Sequence, residues 1–324
     1  MGLPVTVYKS TDIGAPQLDG SVGAWLNVIQ KCLVDGYGSK IGLGWTRAFH
    51  DPATGRVVYR NKVSDGGSGG VVRFSSNDDD LTTINTKLLI TQCAKNASDV
   101  NSLFHAIPSL GRGVYSSGIA WQIIGTTRGF YITQHYTANA SMNTSSNPQQ
   151  WTLFIGDVES YHANDAGVFT MVTGNGVTAD SVATSYNFSL GNSGDVFAML
   201  YDTDGFDNKT QYRYSSSLPW VYNNPNATTS NINITEDNHT IVFTDVVLAH
   251  ASPTLLDRNG SMFLISKIAP QCRAKLPGIY LANIGGYFSN TSYPIERTFE
   301  GVMYQRMRGY WLAVNLWVNL EEWY

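Results

Sequence analysis

The stretch WLAVNLWVNL, residues 311–320, alternates two sets of side chains with a period of two. One set is Leu312, Val314, Leu316, Val318 and Leu320, and the other is Trp311, Ala313, Asn315, Trp317 and Asn319. Successive side chains of a β-strand point to opposite faces, so the alternation predicts an antiparallel strand with a buried apolar face. Trp311 and Trp317 on the second face predict that another domain or another subunit covers part of it.

Other segments rich in β-branched and aromatic residues predict further strands. They are Pro4–Tyr8, Arg56–Arg60, Val71–Phe74, Lys87–Gln92, Ile119–Ile124, Gly129–His135, Trp151–Val158, Val168–Val172, Asp195–Leu200, Thr240–Leu248 and Met262–Ile268. Residues 125–128 are predicted to form the loop of a hairpin between Ile119–Ile124 and Gly129–His135. Trp151–Val158 is predicted to add a third strand to this hairpin. The polar segments 138–150 and 222–238 are predicted to be long loops, and the Gly-rich segment 65–70 a loop between hairpin strands.

Two short helices are predicted from apolar residues spaced three and four apart. The first runs from Val22 to Leu33, with Ser21 as its N-cap and Gly36 as its stop. The second follows Ser98, covers residues 100–107 and ends at Pro108. We therefore expect a mainly β fold, with antiparallel sandwich or barrel-like sheets and one or two short α-helices. We expect an N-terminal β-rich domain over 1–221 and a C-terminal β-rich portion over 222–324, which either stands apart or packs into the same domain.

The low content of charged residues indicates which kind of partner this protein has. Charged residues make up 14% of the chain, against about 25% in ordinary soluble domains. A surface with so little charge repels its neighbours weakly, which favours protein–protein assembly. The formal net charge of −4 disfavours nucleic acid as the main partner. The basic group Arg297, Arg306 and Arg308 is predicted to form ion pairs at the rim of the protein.

No secretory signal is visible in residues 1–10, and no apolar stretch approaches the ~18 residues of a spanning helix, so we expect no membrane insertion. Cys32, Cys93 and Cys272 form an odd set without metal-ligand spacing. They are predicted to be buried thiols of a protein made in a reducing compartment. Aromatic residues make up 12% of the chain. Core and interface use explains them better than sugar stacking, so glycan binding is the weaker expectation.

The segment Asp202–Asn208 holds Asp202, Asp204 and Asp207 around Gly205, which makes it the best candidate for calcium. It lacks the spacing of a helix–loop–helix site, and an Asp/Gly turn is the preferred interpretation. The run Asp78-Asp79-Asp80 is predicted to be a solvated loop, because adjacent carboxylates cannot all converge on one ion.

Evidence for catalysis is weak throughout the sequence. Glu159 ends a predicted strand, but no partner carboxylate is apparent besides Asp157. A pairing of Cys272 with His250 is one that any chain of this size offers. Residues 66–70 lack the lysine of a phosphate-binding loop. We therefore expect no enzyme activity and assign no catalytic, cofactor-binding or metal-binding residue.

Three stretches, read together, resemble one family. The first is Leu3–Leu18 with Gly36-Tyr37-Gly38 and Gly44-Trp45-Thr46 after a short helix. The second is Ile155–Tyr161 with Asn164-Asp165-Ala166, similar to a Gly-Asp-x-x-Ser-Tyr-x-x-x-Asp-Ala pattern. The third is Arg273–Tyr280, similar to Arg-Gly-x-Leu-Pro-Gly-x-Tyr, with Ala274 in place of the usual glycine.

The family that these stretches resemble consists of virion-associated structural proteins of tailed bacteriophages and prophages, and the likeness runs from residue 3 to about 315. It implies a structural role in the tail, baseplate or neck of a virion assembled in the bacterial cytoplasm, in contact with other virion proteins and with copies of itself. Two alternatives stay open: a receptor- or glycan-binding module of the tail tip, and an envelope-polysaccharide hydrolase. The motifs also predict local structure. Pro277-Gly278 is predicted to form a tight turn that directs Leu276 and Ile279 into a core.

Overall fold

A computed structural model describes residues 2–116, 119–136, 151–174, 196–206, 208–215, 241–250, 266–283, 293–307 and 316–324. The fold is mainly β with antiparallel sheets, as the sequence predicts. The strands of the first half are β1 (Leu3–Pro4), β2 (Thr6–Lys9), β3 (Thr46–Asp51), β4 (Arg56–Arg60), β5 (Val71–Ser76), β6 (Leu88–Ala97), β7 (Leu103–Ala106), β8 (Leu110–Gly113), β9 (Ile119–Gly125), β10 (Gly129–Tyr136), β11 (Trp151–Asp157) and β12 (Glu159–Ser160). The strands of the second half are β13 (Phe169–Gly174), β14 (Val196–Tyr201), β15 (Lys209–Ser215), β16 (Phe243–His250), β17 (Cys272–Ala282), β18 (Glu296–Phe299), β19 (Val302–Arg306), β20 (Leu316–Asn319) and β21 (Glu322–Trp323).

The first predicted helix is confirmed. Helix α1 spans Val22–Gln30, and the hydroxyl of Ser21 accepts a hydrogen bond from the amide of Ala24 at 3.1 Å, as an N-cap does. The chain continues through a wider π-helical turn, Lys31–Asp35, and leaves it at Gly36, whose φ is +78°. That conformation favours glycine, which explains why the helical segment stops there.

The second predicted helix is wrong. Within residues 98–107 the chain forms β7, which pairs with β6 through Ala94↔Ala106 and Ala97↔Leu103. Leu103 and Ala106 pack against an apolar cluster on the outer face of this sheet, and Phe104 is half exposed. The helical spacing was fortuitous, because pairing with a long neighbouring strand outweighs a local preference.

β7 is the edge of a small sheet with strand order β3-β4-β5-β6-β7, in which β8 also pairs with β6. The Gly-rich segment 65–70 connects β4 to β5, which pair with each other, as predicted. The inner face of this sheet contributes Val57, Tyr59, Val72 and Phe74 to a core that also contains Trp25 of α1.

A second, longer sheet has the order β18-β19-β20-β17-β16-β15-β14-β13-β11-β10-β9-β2, and β12 pairs with β17. The predicted hairpin is confirmed by the pairing of β9 with β10, and β11 adds the predicted third strand. One face of this sheet packs on α1 and the small sheet, and the opposite face builds a second core around Tyr131, Phe154 and Leu276.

The two ends of the long sheet approach each other. Lys9 of β2 forms an ion pair with Glu296 of β18 at 3.0 Å, although these strands lie at opposite ends of the strand order. Gln122 of β9 and Gln305 of β19 are hydrogen-bonded at 2.9 Å. The sheet therefore curls strongly, but no hydrogen-bonded ladder closes it into a barrel among the described residues. β2, which overlaps the predicted strand Pro4–Tyr8, lies at the end of the strand order.

The end of the chain shows what covers Trp317, on the second face of the predicted strand. In β20 all four residues are buried, and Trp317 packs edge-on against Phe299 with ring centroids 5.8 Å apart. Trp317 is thus covered by the protein itself and is not an assembly surface, while Trp311 lies outside the described residues. Arg306 is also fully buried, so it does not lie at the rim of the protein, where it was predicted. Arg308 lies outside the described residues.

Several predictions fall wholly or partly outside the described residues. They include the loops 138–150 and 222–238, the boundary between 221 and 222, and residues 262–265 of a predicted strand, whose remainder, 266–268, is not extended. β15 and β16, on either side of that boundary, pair in one sheet. The division into 1–221 and 222–324 stays a prediction. Within the described chain, no helix has the length and apolarity to cross a membrane.

Candidate functional site

The second and third stretches of the resemblance meet in space. β12 pairs with the start of β17 through Glu159↔Lys275 and Ser160↔Ala274. The amide of Tyr161 then donates to the carbonyl of Arg273 at 3.1 Å. Two motifs more than a hundred positions apart therefore form one structural unit. Ala274, which stands where the family pattern has glycine, is completely buried in this pairing.

A buried ion pair is the centre of that unit. Arg273 Nη2 lies 2.6 Å from Asp165 Oδ1, and the two side chains are 0% and 1% exposed. Arg273 also donates to the carbonyl oxygens of Tyr201, at 2.8 Å, and Ile268, at 3.2 Å. Asp165 accepts from the hydroxyl of Ser160 at 2.6 Å. Both charges are thus compensated inside the protein, as a buried pair requires.

Gly167 allows the guanidinium of Arg273 to reach this position. A Cβ atom at residue 167 would lie 2.4 Å from the carbonyl oxygen of Tyr201 and 2.9 Å from Arg273 Nη2. The amide of Gly167 also donates to Asp165 Oδ1 at 2.9 Å. The turn that carries Asp165 therefore packs directly against the strand that carries Arg273, with no room for a side chain.

The third motif makes a further contact through Pro277-Gly278. These residues do not form the predicted turn, because β17 runs through them and pairing with β16 shifts register between Asp245 and Val247. Gly278 has a φ of +65°, and a Cβ there would lie 2.0 Å from Trp323 Nε1. The irregularity makes room for that indole. The expected burial of Leu276 and Ile279 is confirmed.

Asp157 of the second motif is fully buried beneath the Gly-rich segment. Its carboxylate accepts from Ser68 through the amide at 2.8 Å and the hydroxyl at 2.5 Å, and from Asn61 Nδ2 at 3.0 Å. Burial raises the pKa of this carboxyl, although these donors and Arg128 oppose the shift. Arg128 lies 3.6 Å from the carboxylate. Asp157 therefore anchors a loop and is enclosed on all sides.

The last residue, Tyr324, contacts the same region. Its hydroxyl donates to the carbonyl oxygen of Asp157 at 2.7 Å, and the guanidinium of Arg128 lies 3.9 Å from the centre of its ring. Sequence reasoning did not find Ser68, Arg128 or Tyr324, because only the fold brings them to Asp157. The only hint in the sequence was that Asp157 lies in a motif that offers it no reactive partner, which is consistent with a structural use of its carboxylate.

Glu159 is placed differently from Asp157. Its side chain is about one quarter exposed and lies 3.5 Å from Lys275, which is also 3.5 Å from Asp245. Burial raises the pKa of Glu159, against the attraction of Lys275. Burial would lower the pKa of Lys275, but Glu159 and Asp245 together raise it. Two carboxylates thus share one ammonium at the surface, two residues beyond the buried Asp157.

The metal candidate is a turn, as the preferred interpretation held. Asp202 accepts from the hydroxyl of Thr210 at 2.9 Å, and Asp204 accepts from the amide of Phe206 at 3.1 Å. Asp207 lies outside the described residues. No cluster of three His, Cys, Asp or Glu side chains suited to a metal occurs in the part of the chain that the structure describes.

The acidic run 78–80 is neutralised by neighbouring cations. Asp79 pairs with Arg56 through two hydrogen bonds, at 3.0 and 2.9 Å, while Lys87 bonds Asp78 and lies 3.3 Å from Asp80. Hydrogen bonds from Thr82 and Thr83 lower the pKa of Asp80 further. The run is therefore a surface loop, as predicted, whose carboxylates are also paired with cations.

Cys32 and Cys93 are buried, as predicted, but Cys272 is exposed. His250 and Cys272 lie on the paired strands β16 and β17. Burial lowers the pKa of His250, whose ring packs against Tyr212 at 5.7 Å.

Three exposed apolar side chains lie on segments that are hydrogen-bonded to the Arg273–Asp165 unit. Tyr161 is 50% exposed, Phe206 70% and Ile268 37%. Their segments are tied together, because Ala166 donates its amide to the carbonyl of Thr203, and the amide of Thr203 donates to the carbonyl of Ile268. We call Tyr161, Phe206 and Ile268 the apolar patch.

Comparison of the chain with family models and with curated proteins finds no match. No family model matches the chain, and no curated protein is significantly similar to it.

Proposed function

We propose that this chain is a non-catalytic structural component of a tailed-bacteriophage particle, in the tail, baseplate or neck, and that it acts through protein–protein contacts. The observation that carries the proposal is that the second and third motifs are joined by a buried ion pair. Their charged residues Asp165 and Arg273 are consumed in a buried internal pair, and the segments that this pair joins present the apolar patch. The motifs thus serve architecture.

A patch of this kind suits a protein partner. Isolated exposed apolar residues are ordinary, but several on segments joined by hydrogen bonds form a presenting surface. Tyrosine and phenylalanine are enriched in the centres of interfaces, because they bury a large area at a small cost in conformational entropy. Phe206 and Tyr161 are the two largest side chains of the patch.

The buried pair contributes rigidity to this surface. Arg273 and Asp165 hold three segments through side-chain and backbone hydrogen bonds, so these segments lose little further freedom when a partner binds. A stable contact buries about 1,200–2,000 Å² in total. The patch would supply its centre, and the charge-poor surroundings would supply its margin.

The test is assembly of variants into particles. We expect Phe206→Ser and Tyr161→Ser to fold, since both side chains are exposed, and to be depleted from purified particles, as measured by quantitative mass spectrometry. Ile13→Ser is the matched control, because Ile13 is 94% exposed and lies elsewhere, beside Gly38. This control should be incorporated normally. Absence of the unmodified chain from purified particles would refute the structural role. Normal incorporation of both patch variants would refute the role of the patch.

One observation favours the hydrolase alternative. Glu159 is accessible and has a raised pKa, as a general acid does, with Asp245 as a second carboxylate nearby. Hydrolysis of purified envelope polysaccharide that Glu159→Gln abolishes would support this alternative over the structural role. Asp157, the partner considered from sequence, is fully buried and unsuited to reach a substrate.

A further inference from the structure

An open cavity of about 290 Å³ lies on the outer face of the small sheet, away from the Arg273–Asp165 unit. It is lined by Arg56 of β4, by Arg73, Ser75 and Ser76 of β5, by Asn77, and by Ile90 of β6. Its volume is at the lower end for ligand sites, which matches a single small molecule or one terminal group of a larger one.

The two arginines of this cavity differ in how their charges are balanced. Arg56 forms an ion pair with Asp79. Its positive charge also helps to lower the pKa of Asp51, although the main cause of that shift is the hydrogen bond from Thr54. Arg73 has no carboxylate partner among the described residues. Within the described part of the chain, Arg73 donates to two neutral groups, Gln92 Oε1 at 2.6 Å and the carbonyl oxygen of Val100 at 3.2 Å.

Arg73 is therefore a partly buried cation without a counter-charge. Its Nε atom is buried and has no hydrogen-bond acceptor among the residues that the structure describes. Burial lowers the pKa of Arg73, and the nearby positive charge of Arg56 lowers it further. The carboxylates of Asp78 and Asp80 are held by Lys87, and that of Asp99, the residue before Val100, accepts from the amides of Asn101 and Ser102.

Neutral donors complete the cavity. The hydroxyl of Ser75 makes no hydrogen bond within the described part of the chain, and the side chain of Asn77 uses its oxygen to accept from the amide of Leu88 at 2.9 Å. The Nδ2 group of Asn77 is therefore left to donate. Guanidinium, hydroxyl and amide donors lining one small cavity suit a ligand that carries several acceptor oxygens.

We propose that this cavity binds the anionic group of a small ligand, a carboxylate or a phosphate, between Arg73 and Arg56. The ligand would supply the counter-charge that Arg73 lacks, and Ser75 and Asn77 would donate to its oxygens. This site is independent of the proposed structural role, since the cavity and the apolar patch are built from different residues.

The experiment is isothermal titration of the full chain with inorganic phosphate and, separately, with glucuronate, in chloride buffer of constant ionic strength. Saturable binding of at least one probe is expected, and the stronger of the two identifies phosphate or carboxylate as the preferred group. Arg73→Met should weaken binding at least about tenfold, the loss expected for one hydrogen bond to a charged group. Arg73→Lys keeps the charge without the fork and should weaken it less.

Arg60→Met is the matched control. Arg60 lies on β4, four residues after Arg56. Its guanidinium donates hydrogen bonds to the carbonyl oxygen of Gly69 and to Asn96 Oδ1. Its removal should leave affinity unchanged. Should Arg73→Met fail to fold, Arg56→Met and Ser75→Ala provide the same comparison. The proposal is overturned if neither probe binds saturably, or if the variants at 73, 56 and 75 bind as the unmodified chain does.

Discussion

Removing either partner of the Arg273–Asp165 pair should destabilise the fold strongly. The side chains are 0% and 1% exposed, so the charge left behind cannot be solvated by water. Breaking a buried pair from one side typically costs about 3–5 kcal/mol. That is a large part of the ~5–15 kcal/mol by which a protein is stable. We expect Asp165→Asn and Arg273→Met each to lose stability in this range, measured as the free energy of unfolding in urea.

The protein offers a matched control close to the buried pair, in the ion pair of Glu159 with Lys275. Lys275 lies on β17, two residues beyond Arg273, and pairs with Glu159 of β12, but both side chains are about one quarter exposed and their charged atoms are 3.5 Å apart. Glu159→Gln and Lys275→Met should therefore cost at most about 1 kcal/mol each.

A double-mutant cycle separates the interaction from the burial. In Asp165→Asn/Arg273→Met no uncompensated charge remains, so the double variant should lose less stability than the two single losses combined. Losses below about 1 kcal/mol in both single variants, or simple additivity, would refute the claim that this pair joins the two motifs.

Further predictions concern single positions. Gly278→Val should lower the stability by more than about 2 kcal/mol, measured by thermal denaturation, because the new Cβ would overlap Trp323. Gly301→Ala is its control: residue 301 has a φ of +83° and nothing within 4 Å of a Cβ, so this change should lower the stability only by the ~1 kcal/mol of an unfavourable φ. Trp317→Ala should lose about 3–5 kcal/mol in urea unfolding, and a loss near zero would show that it is not core. The raised pKa of Asp157 means that stability is lost as pH rises from about 4, the ordinary Asp value, through the folded-state pKa. Asp157→Asn lacks this contribution, so its stability relative to the unmodified chain should improve between acid and neutral pH; an unchanging difference would contradict the shift.

The parts of the fold that sequence reasoning predicted are those with strong local signals. Helix α1 has a capping serine, an apolar stripe and a terminating glycine, all within Ser21–Gly36. Arg56–Arg60 has the predicted bounds, and Ile119–Gly125 extends its predicted strand by one residue, because both are bounded by turn residues. These signals lie within about fifteen residues and need no knowledge of a partner.

The missed elements depend on distant partners. β17, which spans Cys272–Ala282, contains a proline and a glycine, both of which disfavour a strand interior, and a turn was predicted there instead. The strand persists because β16 and β20 pair with it on either side and Trp323 fills the irregularity. No local pattern contains that information.

The candidate site was predictable only as separate motifs. Asp165 and Arg273 lie in two different stretches of the resemblance, but nothing in either stretch indicates that the two side chains meet at 2.6 Å. Opposite charges in two motifs of a charge-poor chain were the available signal. The apolar patch was missed as well, because Phe206 lies in a turn that was considered only as a calcium candidate.

The buried pair also bears on how a chain like this one can change. Asp165 and Arg273 lie in segments whose remaining contacts are mostly backbone hydrogen bonds, which other side chains could preserve. The two charges, in contrast, depend on each other, because loss of one leaves the other desolvated and unpaired. In chains that share this architecture, we therefore expect these two positions to be charged together or neutral together, while Tyr161, Phe206 and Ile268 follow the partner that they contact. A set of related sequences in which one charge of the pair is regularly present without the other would show that the pair does not hold the patch in place.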